Sequence, residues 1–150
     1  MNIMIEKHDY MEMKVPAKAE FIKVIRLTVS GVASRMGFSY EDIEDLKIVV
    51  SEACTNVVQH AYNEEEEPGD IMVGFMIYEN RLEIMVVDHG HSCNFDEIRK
   101  GIGRYEKGQE IQLMREGGLG LYLIETLMDE VIIHQDQGVT ILMTKFVHGE

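Results

Sequence analysis

The apolar residues of this chain change period several times, and the order of those changes limits the fold more than any other feature. Residues 10–15, YMEMKV, set Met11, Met13 and Val15 against Tyr10, Glu12 and Lys14. That alternation is a strand, and Pro16 ends it. Over residues 17–36 the period becomes helical, with Phe21, Val24, Ile25, Thr28, Val32 and Met36 on one face and Gly37 as the stop. Ser39, three residues before Asp42, reads as the cap of a second helix. Its stripe is Ile43, Leu46, Val50, Ala53 and Val57, and it runs to about Tyr62. Ile71–Tyr78 alternates again, Glu79-Asn80-Arg81 turns, and Leu82–Val87 pairs back as a hairpin. Residues 89–117 are polar, dotted with glycine and without strong period, which is the signature of a lid. Leu119–Asp129 is helical, and Val131–His134 with Val139–Val147 makes a second hairpin around Asp136-Gln137-Gly138.

The order strand, helix, helix, two strands, lid, helix, two strands predicts an α/β sandwich. A mostly antiparallel sheet of about five strands carries its helices on one face. The chain is not a run of βαβ units and holds no G-x-x-x-x-G-K-[ST] stretch, which excludes Rossmann and P-loop architectures. At 150 residues it suits one domain, 1–150, with a real core.

Charge narrows the partners. Fourteen Lys and Arg stand against 27 Asp and Glu, a net charge of −13. Neither a nucleic acid nor an anionic membrane surface attracts such a chain. The run Glu64–Glu67 reads as a solvated loop. The two cysteines, Cys54 and Cys93, have no metal-ligand spacing, and Cys54 falls inside the second helix as a small buried thiol. With no basic-then-apolar leader and no apolar stretch of about 18 residues, the expectation is a cytoplasmic protein.

Three stretches carry chemistry. In SEACTNVVQHA, residues 51–61, Glu52 and Asn56 are four residues apart and share a helical face beside Val49, Ala53, Val57 and Ala61. The plain reading is surface polarity. The functional one is a site wall, in which the Asn56 amide oxygen takes one Mg²⁺ position beside a polyphosphate and Glu52 accepts a proton. In VVDHGHS, residues 86–92, Asp88 ends an apolar strand and can accept a hydrogen bond from an exocyclic amine, with Gly90 permitting close approach. Otherwise it is an ordinary Asp-x-Gly turn. His89 and His91 read as loop residues. In EGGLGLYLIE, residues 116–125, Gly117, Gly118 and Gly120 open a helix, whose N-terminus favours phosphate, or else form a hinge. Thr140, in GVTILMTK, reads alone as an outward β-branched strand residue.

In this order these parts resemble the GHKL, or Bergerat-fold, ATPases. The stretches YMEMKVPA, IRLTVSGVASRMG, IEDLKIVVSEACTNVVQHAY, EGGLGLYLIETLMDEV and GVTILMTK further resemble the anti-sigma-B factor and serine-protein kinase family RsbW, from about Tyr10 to Glu150. The resemblance implies ATP and Mg²⁺ as cofactors, Glu52 as catalytic base and Asn56 as metal ligand. It implies Asp88, with Gly90 beside it, as the reader of adenine, Gly118, Leu119, Gly120 and Leu121 as the phosphate-binding loop, with Gly117 before it, and Thr140 near the adenine. Ser92 stands where many relatives have glycine, and Arg104 and Arg115 are lid candidates for phosphate contact.

The same resemblance implies a homodimer that binds an alternative sigma factor and phosphorylates one serine of a small antagonist protein. The first strand and first helix are expected to serve dimerisation and partner binding. The alternatives are a catalytically silent ATP-binding, sigma-sequestering module and a histidine-kinase catalytic domain. The latter needs a phosphoacceptor helix pair before the first strand, where only about nine residues stand, and His60 lies inside the Asn56 helix. A chaperone- or gyrase-type clamp needs large further domains.

Overall fold

A computed structural model describes residues 6–62, 69–89, 112–135 and 139–148. The elements follow the expected order: β1 (Asp9–Pro16), α1 (Ala19–Met36), α2 (Tyr40–Tyr62), β2 (Asp70–Ile77), β3 (Arg81–His89), α3 (Gln112–Leu127), β4 (Glu130–Gln135) and β5 (Val139–Phe146). The strands form one sheet in the order β1-β2-β3-β5-β4. All four pairings are antiparallel.

Strand parity divides the sheet into two faces. Ile71, Val73, Phe75, Leu82, Ile84, Val86, Val139, Ile141 and Met143 point towards the helices and join their buried residues in the main core. Met76, Tyr78, Met85, Val87 and Leu142 form a separate cluster on the opposite face. The α/β sandwich with helices on one face is therefore the fold. Within the helical layer α2 is central, packed against α1 on one side and α3 on the other, with β3 beneath it. That position explains its composition. Leu46, Val49, Val50, Ala53, Cys54, Val57 and Val58 are all buried, a wider apolar arc than one stripe.

The helix ends form as their residues dictate. Gly37 takes φ 89°, a left-handed conformation costly for residues with a Cβ. Its N–H donates to the Ser34 carbonyl at 3.1 Å while Phe38 N–H donates to Ala33 at 3.2 Å. The Ser39 hydroxyl accepts from Asp42 N–H at 3.1 Å, as its spacing predicts.

Two expectations are corrected. The buried face of α1 is Ile22, Ile25, Val29, Val32 and Ala33, whereas Val24 is exposed and so is Leu27. The helix is apolar on more than one face, so periodicity alone does not choose which turns inward. The third helix begins at Gln112, not Leu119. Gln, Leu, Met, Arg and Glu at 112–116 are strong helix formers, and the helix extends back through them into the span read as lid. The rest of that span, 90–111, lies outside the described residues, as do Cys93, the acidic run and the 136–138 turn.

Two fastenings hold the frame. Lys145, buried on β5, donates from Nζ to the Leu127 carbonyl at the end of α3 at 2.8 Å and lies 3.8 Å from Asp42 of α2. At the same end of the sheet, where Leu82 of β3 pairs with Lys145, Arg81 forks onto both Glu6 carboxylate oxygens at 2.9 Å, reaches Glu83 through Nε at 2.9 Å, and lies 3.7 Å above the Tyr78 ring. These contacts, the Glu6 bond foremost, hold the guanidinium pKa above its ordinary value.

Candidate functional site

Helix α2 brings Glu52 and Asn56 to its α3 side. The contact is visible from Gly120: a Cβ built there would stand 2.8 Å from Glu52 Oε2, 3.5 Å from Asn56 Nδ2 and 3.8 Å from Asn56 Oδ1. The two helices meet where α3 has no side chain, and both polar groups of α2 face that gap.

Asn56 is only 4% exposed. Its Nδ2 is fully buried and has no hydrogen-bond partner. A buried amide donor left unpaired costs about 1–3 kcal/mol, and what relieves it is an acceptor such as a water or a phosphate oxygen. Glu52, one turn earlier, is half-buried. Cys54, on the same helix, is fully buried and its thiol is pushed up to about 12 by desolvation, which leaves it an inert core residue.

Glu52, with Glu44, also lines a groove between α1 and α2, about 640 Å³ in volume. Lys23, Arg26 and Lys47 supply positive charge along it, and Leu27 and Ile48 supply exposed apolar surface. These residues escaped the sequence reading. Their signal was there: Lys23, Arg26 and Leu27 fall at helical spacing on the outward side of α1. A cleft of about 620 Å³ at the opposite end of the sheet, beside Arg35 and Tyr78, contains none of the candidate residues.

Asp88 sits half-buried near the end of β3, paired with Ile71 and thus on the helix-bearing face. Thr140 does not join it. It pairs with Val87, and both lie on the opposite face of the sheet. The residue on Asp88's face is Val139, fully buried. Counting alternate positions back from Ile141 and Met143 would have assigned Val139 inward and Thr140 outward.

Gly117, Gly118, Leu119, Gly120 and Leu121 lie inside α3 instead of opening it, and Leu121 is buried. The unpaired N–H groups of a helix belong to its first four residues, here 112–115. Gly120 gives α3 space against α2. Gly90, Ser92 and Arg104 lie outside the described residues, as do His91 and the side chains of His89, His60 and Arg115. Among the described residues no group of three or more His, Cys, Asp or Glu could hold a metal ion. Among them, too, no helix is long and apolar enough to cross a membrane.

The histidine kinase-like ATPase domain family matches residues 15–145. A protein of Bacillus cereus named serine-protein kinase RsbW is 54% identical over 147 residues, covering 98% of this chain and 91% of its own. One of Bacillus velezensis with the same name is 56% identical over 142 residues, covering 95% and 88%. Among solved structures, the RsbU and RsbW domains of Rv1364c from Mycobacterium tuberculosis superpose with a TM-score of 0.65 at 18% identity, covering 94% of this chain and 33% of that one, which speaks for the fold alone. Near-full-length identity above half, with an ATPase domain spanning the same strands and helices, identifies the chain as a member of the serine-protein kinase RsbW family within the histidine kinase-like ATPases.

Proposed function

We propose that this kinase holds an alternative sigma factor out of use and phosphorylates a serine on a small antagonist protein, using Mg-ATP bound where α2 meets α3 and the end of β3. The observation that carries the reading is the buried, unpaired Asn56 amide beside the side-chain-free stretch at Gly120. The ATPase family and the RsbW relatives support it.

Each residue then has a task. Asp88 accepts the adenine amine, with Val139 as the apolar neighbour on its face. Asn56 would hold Mg²⁺, which would neutralise charge on the phosphates. The glycine-bearing half of α3 lies at the phosphate end. The antagonist's serine enters along the α1–α2 groove, whose cations and apolar side chains suit a protein segment. Glu52, which lines the groove, takes the hydroxyl proton as the serine oxygen bonds to the γ-phosphorus and the bond to ADP breaks. Sigma sequestration uses outer surface, so it is separable from this chemistry. Reading the protein as a cytoplasmic homodimer rests on the same family resemblance.

The test is phosphate transfer to the purified antagonist with ATP and Mg²⁺. Glu52→Gln keeps size and helix propensity but cannot take the proton, and lowers transfer by about 10²–10⁴-fold. Mg-ATP and sigma binding persist. A Glu52→Gln protein with the wild-type rate removes Glu52 from catalysis. A wild-type protein that binds ATP and sigma but transfers nothing favours the silent sequestering module.

A further inference from the structure

The two helices that carry the site are joined a second time, away from it. Gly120 of α3 stands against Glu52 and Asn56 of α2. Later in α3 and earlier in α2, Lys145 of β5 reaches both helices at once. Its Nζ donates at 2.8 Å to the carbonyl of Leu127, the last residue of α3. The same Nζ lies 3.8 Å from Oδ1 of Asp42, in the first turn of α2. The helices are therefore antiparallel, with the site towards one end of their contact and Lys145 at the other. At 1.5 Å per residue the two lie about 10–15 Å apart.

Lys145 is 8% exposed, and a lysine is rarely buried so far unless it is paired. It is not needed to hold α3 to the sheet. Asp129, just past the helix, donates from N–H to the Thr144 carbonyl at 3.0 Å, and its Oδ2 accepts from Phe146 N–H at 2.7 Å. Those bonds flank Lys145 on β5 and fasten the end of α3 without it. What the ammonium adds is α2.

We infer that Lys145 is a positioning residue for phosphate transfer: it pins the end of α3 to the start of α2 and so keeps Glu52 and Asn56 in register with the nucleotide's phosphates. The inference rests on the Mg-ATP site and the role of Glu52 proposed above. Packed helices are hardly compressible, so a slide at the pinned end is passed on to the other. Adenine recognition at Asp88 belongs to β3, whose place in the sheet does not depend on the pin. Loss of the pin should therefore shift α2 against the phosphates and leave the adenine end of the site as it was.

The experiment compares wild type, Lys145→Met, Asp42→Asn and the double variant. Methionine keeps an unbranched stem in the same space and removes the charge. Three quantities are measured, all well below the lowest thermal midpoint: kcat for transfer to the antagonist at saturating Mg-ATP, and the ATP dissociation constant with Mg²⁺ and with the cation chelated. A misplacement of about 1 Å costs on the order of 10²-fold in rate, so Lys145→Met should lower kcat by about 10–100-fold. It should also shrink the affinity that Mg²⁺ adds, while metal-free ATP affinity stays within a few-fold of wild type. Asp42→Asn should move both quantities in the same direction. The double variant should be little worse than Lys145→Met, because residues acting through one another are not additive.

A folded Lys145→Met protein with a lower midpoint but wild-type kcat and Mg²⁺ gain overturns the pin and leaves Lys145 a stabilising residue. Equal losses of ATP affinity with and without Mg²⁺ overturn it too, since the whole site and not the register has then moved. So do losses that multiply in the double variant. If Lys145→Met does not fold, Asp42→Asn decides, because it leaves the bond to α3 in place: wild-type kcat and Mg²⁺ gain there overturn the pin. Failure of the underlying reading shows separately. If Asn56→Ala keeps the Mg²⁺ gain and Glu52→Gln keeps the rate, the site itself is wrong and this inference falls with it. If those two are impaired and Lys145→Met is not, only the pin is wrong.

Discussion

Asp88 and Thr140 show how one position of register decides a role. Both are polar residues at strand ends, and on neighbouring strands they come within one step of each other. Because side chains alternate, that step puts them on opposite faces of the sheet. Asp88→Asn should weaken ATP binding by about 10–100-fold, the worth of a hydrogen bond to a charged acceptor. GTP, which offers a carbonyl where ATP has its amine, should bind poorly to the wild type. Calorimetry with both nucleotides checks this, and equal affinities would remove Asp88 from adenine recognition. Thr140→Val should leave ATP affinity unchanged, because its side chain faces away from the site. The Glu52 and Asn56 pair was legible from spacing alone, since i and i+4 on one helix have only one geometry. That they meet α3 at Gly120 was not legible. Contact between residues so far apart in the chain is a tertiary fact that no local pattern encodes.

At the scale of elements, legibility followed the strength of local signals. The strands were found within a residue or two, because alternation flanked by Pro16 or the Glu79-Asn80-Arg81 turn has one reading. The start of α2 was found through Ser39. Ser39→Ala should lower stability by about 1 kcal/mol in chemical denaturation, the usual value of such a cap. The inward face of α1 and the start of α3 were misjudged for opposite reasons. One helix offers two apolar faces, and in the other the glycines look like a boundary that neighbouring helix formers override. The Arg81 fastening left no trace in the sequence, since it joins Glu6 to β3 across the chain. Arg81→Met should cost more than any surface ion pair. It takes the guanidinium away from the Glu83 carboxylate, whose side chain is 4% exposed. Breaking such a buried pair costs about 3–5 kcal/mol. A thermal midpoint equal to wild type would show the fastening to be ornamental.

Across the whole molecule the charge is uneven. The chain carries −13, yet the groove beside Glu52 presents Lys23, Arg26 and Lys47. Lys47 is paired with Glu44 at 3.2 Å. Glu44 and Glu52 line the same groove, so its charge is mixed where the chain as a whole is acidic. One antiparallel sheet sets this up: β3 carries Asp88 on its helix-bearing face, and α2 lies across β3 with Glu52 and Asn56 turned to α3.

The central claim is that Asn56 is kept buried and unpaired for the sake of a metal-bound nucleotide. Calorimetric titration of ATP, with Mg²⁺ and with the cation chelated, into wild type and Asn56→Ala tests it most directly, alongside the thermal midpoint of each protein without nucleotide. Alanine removes a buried donor that has no partner and is the better helix former. The account therefore predicts a midpoint as high as wild type or higher, together with loss of the affinity that Mg²⁺ adds. An Asn56→Ala protein that retains the full Mg²⁺-dependent gain in ATP affinity would contradict it.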